Sequence, residues 1–293
     1  MKLSSAFAFL LTLLQLSFAE EANLVDDTLV KGRPIIRLWP IDQVGGEQNR
    51  LKYDITNRGK IRYENVKDPH LVVFHTDSKQ PSPAVIYCPG GGYHHLTPEQ
   101  TDIEELNKMG LSVFMLRYTV PKNRKAAFKD VQRAIRLVRH QAKELKVIPN
   151  QIGVFGTSAG GHLVARLSQH YATPAYPAID KADQKSCEPQ FVILTSAAYF
   201  SKGKSEKLKS IVADEFPMTA KIAPTFLVYA KDDRNYIAGG IAYEKKLKAS
   251  GRSTRIVISE TGGHGLKDVH WYPACREWLE ELAVIKPTDT PQK

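Results

Sequence analysis

The sequence predicts an α/β fold with a mostly parallel, doubly wound sheet and helices on both faces. Three observations lead there. From residue 71 onward, short β-branched runs alternate with segments of helical periodicity. Several of the short runs are apolar throughout, as strands become when both faces of a parallel sheet are covered. The 293 residues, 42% apolar and 25% charged, suffice for one large domain with a sizeable core.

The candidate strands are 71–75, 84–88, 112–116, 152–155, 191–195, 225–229 and 255–259. Helical periodicity covers 101–109, 126–145, 159–170, 239–249 and 271–282. Strands and helices alternating in this way form right-handed βαβ units. Segments 35–39 and 61–66 are expected to add antiparallel edge strands. In the 126–145 helix, Val131, Ala134, Ile135, Val138, Ala142 and Leu145 make an apolar stripe. Lys129, Arg133, Arg136, Arg139, Lys143 and Lys146 occupy the other side, which reads as a solvated face. Segments 173–188 and 197–221 lack periodicity and follow elements ending at or near the carboxyl edge of the sheet. One or both are expected to border the ligand crevice, which such sheets place at that edge. Residues 20–60 form an N-terminal extension, 61–286 the main domain and 287–293 a flexible tail.

Residues 1–19 read as a secretory leader. Lys2 gives a positive start, 6–18 is an apolar run, and Ser17-Phe18-Ala19 offers small residues for cleavage near Ala19. The run is shorter than the roughly 20 residues of a membrane span. The expected mature chain is therefore secreted or periplasmic, with no stable membrane insertion. The formal charge of +10 has no nucleic-acid motif beside it, so no nucleic-acid partner is expected. Cys88, Cys187 and Cys275 are an odd set without paired spacing, and no disulfide framework follows from them.

The chemistry sits in the turns. Residues 152–163 (Ile-Gly-Val-Phe-Gly-Thr-Ser-Ala-Gly-Gly-His-Leu) read as strand, sharp turn and helix start. Gly156-x-Ser158-x-Gly160 has the form of a nucleophile elbow, which holds a serine clear of the sheet at a helix N-terminus. The string alone arises by chance in about one chain in ten of this length, so its strand–turn–helix setting is what makes it informative. A nucleophilic serine needs a base, and the base an orienting acid. Beyond the last strand stand two histidines. His264, in Gly262-Gly263-His264-Gly265 directly after that strand, is the expected general base. His270, beside Trp271 at a helix start, reads as a structural or rim residue. The acid belongs after the preceding strand, where Asp232 and Asp233 are both available. Acyl transfer also needs backbone N–H donors for the oxyanion. Ala159 is expected to supply one and the turn Pro89-Gly90-Gly91-Gly92-Tyr93 the others. Tyr93 and His94, with His95, are expected to line the crevice against substrate. Neither histidine has a partner at ligand spacing, so no metal is expected, and the chemistry needs no organic cofactor.

These pieces resemble the bacterial α/β-hydrolases akin to acetyl xylan esterases and related carbohydrate esterases. The resemblance runs from about Val72 to Leu282 and rests on Cys88-Pro-Gly-Gly-Gly-Tyr93, Leu116-Arg-Tyr-Thr-Val-Pro121, Gly156-Thr-Ser-Ala-Gly-Gly-His162, the Asp232-Asp233 segment and Gly262-Gly-His-Gly265. It implies the α/β-hydrolase fold, a Ser158–Asp233–His264 triad, an oxyanion hole at Gly91, Gly92 and Ala159, and ester hydrolysis on decorated sugars. In that family the acid is the second of the pair, three residues before an apolar position that Tyr236 fills here. Successive side chains leaving a strand diverge, which leaves Asp232 as a turn former or a partner for a backbone N–H. The sequence departs at Thr119, where such relatives often have Arg, and at Leu266-Lys267, where they often have Phe-Gly. The expectation is a secreted serine esterase removing short acyl groups, acetyl foremost, from carbohydrate such as xylan. A lipase, feruloyl esterase or peptidase use of the same triad, or a silent carbohydrate-binding relative, are the alternatives, since fold and triad do not fix substrate.

Overall fold

Turn chemistry and apolar periodicity divide the chain, in order, into β1 (Ile35–Arg37), β2 (Asp54–Asn57), β3 (Ile61–Glu64), β4 (His70–Phe74), β5 (Ser82–Cys88), α1 (Gln100–Lys108), β6 (Ser112–Arg117), α2 (Arg124–His140), β7 (Val147–Thr157), α3 (Ala159–His170), β8 (Val192–Thr195), α4 (Glu206–Lys209), β9 (Thr225–Ala230), α5 (Ile237–Ala249), β10 (Thr254–Ser259) and α6 (Tyr272–Glu281). The computed structural model describes residues 27, 29–57, 60–219 and 221–287. The leader expected at 1–19 and residues 288–293 of the expected tail lie outside the described residues.

One eight-stranded sheet has the order β1-β4-β6-β5-β7-β8-β9-β10. From β6 to β10 the neighbours are parallel, whereas β4 runs antiparallel to β6 and β1 antiparallel to β4. Side chains alternate between faces along a strand, yet every position of β6, β8 and β9 is buried. Both faces of the sheet's middle are therefore covered, which is why these strands read as unbroken apolar runs. The chain steps from β5 outward to β6, then returns to lay β7 on the other side of β5. Winding reverses at that point, and the carboxyl ends of β5 and β7 are left flanking a crevice. The glycine turn after Cys88 and the elbow at Ser158 both emerge there.

Three expectations change. The 61–66 segment does not extend the main sheet: β3 pairs with β2 in a separate two-stranded sheet, and Tyr63 bonds Leu96 instead. The helix expected over 126–145 stops at His140. The chain must turn there to enter β7, and the Val147 N–H donates to the Ala142 carbonyl at 2.8 Å to close that turn.

The third change concerns the basic face of α2. Lys129 and Lys143 are exposed, but Arg133 is 3% and Arg136 7% exposed. Segment 173–188 folds over them, so it covers α2 rather than bordering the crevice. Arg133 reaches Asp180 at 2.5 Å and Asp183 at 3.0 Å. An arginine stripe reads alike in sequence whether it meets water or carboxylates supplied 50 residues later. Burial alone would raise the Asp183 carboxyl, but hydrogen bonds from Tyr176 and Ile179 and the Arg133 charge more than offset it, and its pKa lies below the usual value. A depressed carboxylate stabilises the fold above its unfolded pKa, and that contribution fades as pH falls through the folded value. Removing one partner of a buried pair costs about 3–5 kcal/mol. Asp183→Asn should thus lower the unfolding free energy by about 3 kcal/mol at neutral pH, and the gap from the parent should narrow in acid. Urea denaturation at several pH values measures this; a gap that stays constant into acid would contradict it.

Candidate active site

Ser158 occupies the turn between β7 and α3 with φ 53° and ψ −117°, a conformation that non-glycine residues avoid. The surroundings hold it there. Its N–H donates to the Thr195 carbonyl at 3.0 Å, and its carbonyl accepts from His162 N at 3.1 Å and Ala198 N at 3.0 Å. Gly160 lets α3 press against β5: a methyl group at that position would stand 1.9 Å from the Cys88 carbonyl oxygen. The turn can be this tight only without a side chain there.

Ser158 Oγ lies 2.7 Å from His264 Nε2, and His264 Nδ1 lies 2.9 Å from Asp233 Oδ2. The ionised carboxylate can only accept, so Nδ1–H donates to Asp233 and Nε2 is left to accept the Ser158 hydroxyl proton. Asp233 is 3% exposed, whereas the His264 side chain is 40% exposed on its loop beyond β10. Asp232 points elsewhere. Its carboxylate accepts the N–H of Gly263 at 2.8 Å and of Gly262 at 3.4 Å. The two neighbours thus divide the work: Asp233 orients the imidazole and Asp232 holds the loop that carries it. Tyr236 rests its ring against His264, with centroids 4.6 Å apart. His270 is exposed and stands outside this chain of bonds.

The turn after β5 lies against the elbow, where a methyl on Gly90 would be 3.1 Å from Ser158 Cβ. Tyr118 Oη donates to the Pro89 carbonyl at 2.7 Å, and the Gly90 carbonyl accepts from Thr97 N at 2.9 Å. Gly91, at φ 130°, passes so near His95 that a methyl group would stand 2.0 Å from its carbonyl oxygen. Gly90 is therefore packed on the serine, and Gly91 and Gly92 follow it in a turn closed on His95. Ala159 opens α3, where N–H groups have no intrahelical acceptor.

Tyr93 differs from expectation. It is 2% exposed, and its phenol turns away from the crevice to His162 Nδ1 at 2.7 Å. His162 Nε2 meets Glu215 Oε1 at 3.0 Å, and Glu215 Oε2 forms an ion pair with Arg166 at 2.9 Å. Burial holds His162 below the usual histidine pKa and Tyr93 above the usual tyrosine value. A neutral His162 therefore donates to Glu215 and accepts from Tyr93. His94 is exposed on the same turn. Segment 197–221 does border the site, because Tyr199 reaches the loop: its hydroxyl would lie 3.7 Å from a methyl on Gly92. His162, Glu215 and Tyr199 were missed by sequence reasoning. The one available signal was a histidine in the buried first turn of α3, a position that demands polar partners. Among the described residues, no group of three His, Cys, Asp or Glu side chains is placed to hold a metal ion, and no helix is long and apolar enough to cross a membrane.

The BD-FAE family model matches residues 72–195, a span that holds the glycine turn and the elbow and ends before Asp233. The acetylxylan esterase of Xylanibacter ruminicola is 27% identical over 215 residues, covering 68% of this chain and 44% of that protein. Endo-1,4-beta-xylanase B of Butyrivibrio fibrisolvens is 26% identical over 132 residues, covering 42% of this chain and 21% of that protein. The chain thus spans less than half the length of these curated relatives. Among solved structures, the acetyl ester-xyloside bifunctional hydrolase of Caldicellulosiruptor lactoaceticus superposes with a TM-score of 0.69 at 28% identity, covering 86% of this chain and 97% of that one. Esterase 2 of Thermogutta terrifontis shares the fold at 20% identity and a TM-score of 0.65, covering 84% of this chain and 97% of that one. Fold and relationships agree: the chain has the α/β-hydrolase fold of these solved esterases and is similar in sequence to acetylxylan esterase.

Proposed function

We propose that this protein is a secreted serine esterase that removes short acyl groups, acetyl foremost, from carbohydrate such as xylan. The observation that carries the reading is the unbroken pair of hydrogen bonds from Ser158 through His264 to Asp233. Ser158 Oγ attacks the ester carbonyl carbon as His264 Nε2 takes its proton. Asp233 keeps the imidazole in the required tautomer and stabilises its positive form. Negative charge gathers on the former carbonyl oxygen, where the N–H groups of Gly91, Gly92 and Ala159 receive it. One such donor contributes about 3 kcal/mol to the rate. The C–O bond to the alcohol breaks, the alkoxide takes the proton from His264, and water then repeats the sequence on the acyl-enzyme.

Support for a short acyl group comes from the crevice walls. Tyr199 and Tyr236 stand edge to face, 6.0 Å apart, between Gly92 and His264, and bring hydroxyl-bearing rings where a fatty chain would need apolar cover. The sugar is supported by the similarity to an acetylxylan esterase and to an acetyl ester-xyloside bifunctional hydrolase. Export is supported by the leader-like residues 1–19.

Nitrophenyl acetate should turn over faster than nitrophenyl octanoate; the reverse order in a kinetic panel would move the reading to a lipase. The aspartates provide a second check. Asp233→Asn should lower turnover by roughly 10⁴, as tautomer loss does in the serine proteases that serve as the worked example of the triad. Asp232→Asn should cost much less, since the N–H of Gly263 keeps an amide oxygen to bond. A dead Asp232→Asn beside a near-normal Asp233→Asn would contradict the assignment. Finally, Tyr93→Phe keeps the ring but cuts the glycine turn loose from His162. It should lower kcat for the acetate by about fivefold at unchanged KM, an effect near the 1 kcal/mol of one hydrogen bond. Parent-like kcat with a lowered Tm would make that bond purely structural.

A further inference from the structure

Ser158 is half-buried, and a cleft of about 670 Å³ is lined by none of Ser158, Asp233 or His264. We propose that this cleft is a binding subsite for a carboxylate-bearing oligosaccharide, the chain from which the ester group would be presented to Ser158. The proposal rests on the esterase reading for its purpose, but on the cleft alone for its ligand.

The cleft has the size of a small-molecule site and the mixed lining such sites show, largely apolar with a few polar groups. Trp39, half-buried on its wall and braced edge to face by the buried Tyr176 at 4.8 Å, offers ring surface to the C–H face of a sugar. Three asparagines line it with half their amide committed. Asn49 Nδ2 donates to the Val44 carbonyl at 2.9 Å and Asn65 Nδ2 donates to Asp54, which leaves two amide oxygens as acceptors. Asn123 Oδ1 accepts from Ala126 N at 3.0 Å, which leaves its amide nitrogen as a donor. Sugar hydroxyls are both donors and acceptors and suit such a set.

Charge narrows the ligand further. Lys67 and Lys129 both line the cleft and are exposed. The one acid on the lining, Asp130, is turned inward. Its Oδ1 accepts from Trp39 Nε1 at 2.7 Å and its Oδ2 from Thr119 N at 2.8 Å and Thr119 Oγ1 at 2.7 Å. Two exposed lysines thus belong to the lining, and the acid on that lining has both carboxylate oxygens committed to Trp39 and Thr119, an arrangement that suits an anionic substituent.

The cleft also adjoins the proposed oxyanion loop through two supports of that loop. Val120 and Pro121 line the cleft, and the next residue, Lys122, donates its N–H to the Tyr93 carbonyl at 2.6 Å. Asn65 and Val66 line it too, and Tyr63, just before them, exchanges two 2.9 Å backbone bonds with Leu96. Both walls therefore belong to segments that bond Tyr93 and Leu96.

Calorimetric titration of the full mature protein with xylotetraose, and with xylotetraose bearing one glucuronosyl branch, tests this. The branched ligand should bind at least tenfold more tightly, and the preference should shrink in high salt. Lys67→Ala combined with Lys129→Ala, both at exposed positions, should remove the preference, and Trp39→Phe should weaken both ligands. Nitrophenyl acetate turnover should stay at the parent level in these variants. Absence of binding, equal affinity for the two ligands, or a preference that survives the double lysine change would overturn the proposal. Ser158→Ala separates the two readings. If it keeps the glycan affinity but also keeps ester turnover, the esterase reading fails and the subsite stands; if it loses turnover while the parent binds no glycan, only the subsite fails.

Discussion

The backbone of Ser158 is the constraint on which the site depends. Its left-handed φ is unfavourable by about 1–3 kcal/mol for a residue with a side chain, so neighbouring elements must over-determine it. They do so from three directions. β8 supplies the Thr195 carbonyl, α3 supplies the His162 N–H, and the Ala198 N–H beyond β8 bonds the same serine carbonyl. Gly160 brings the fourth, since only a missing side chain allows α3 to touch the last carbonyl of β5. The glycine turn, the elbow and the 197–221 segment are thereby registered to one another through one residue. Placement of that residue at the reversal between β5 and β7 follows from topology, because no other point on the sheet offers two diverging loops.

Around this rigid centre His264, the proposed general base, is held more lightly. His264 sits on a partly exposed loop beyond the edge strand β10, and its position comes from three side chains rather than from the sheet. Asp233 holds the ring nitrogen, Asp232 the loop amides and Tyr236 the ring face. A base that must take a proton from one group and hand it to another gains from this arrangement, with its acid buried and its own ring near solvent. On the opposite flank, the line from Glu215 through His162 to Tyr93 fixes the glycine turn from inside the protein.

Legibility in the sequence followed the range of the interactions involved. The strands from β5 to β9 could be read because double-sided burial leaves unbroken apolar runs, and the Ser158 elbow because its geometry demands glycine at fixed spacing. His264 was readable for the same reason: a glycine loop directly after a strand. The aspartate pair could be divided only with the help of a family resemblance, since both residues are acidic and adjacent. What escaped depends on partners far away in the chain. The burial of Arg133 and Arg136 needs Asp183, and the inward turn of Tyr93 needs His162 and, behind it, Glu215. Neither partner leaves a local signature, because a buried ion pair and a solvated charge have the same helical spacing. The hairpin of β2 and β3 escaped for a related reason: an alternating strand does not state which edge it will join.

The central claim is that Ser158 is the nucleophile, activated in place by His264 and Asp233. It is tested most directly by exposing the folded protein to a fluorophosphonate and locating the adduct by peptide mass spectrometry. Attack by an activated serine forms a P–O bond to Oγ and releases fluoride, so the account predicts one phosphonyl group per chain, on Ser158, with labelling slowed by orders of magnitude in Asp233→Asn. An unlabelled Ser158, or label on another residue at the same rate, would contradict it.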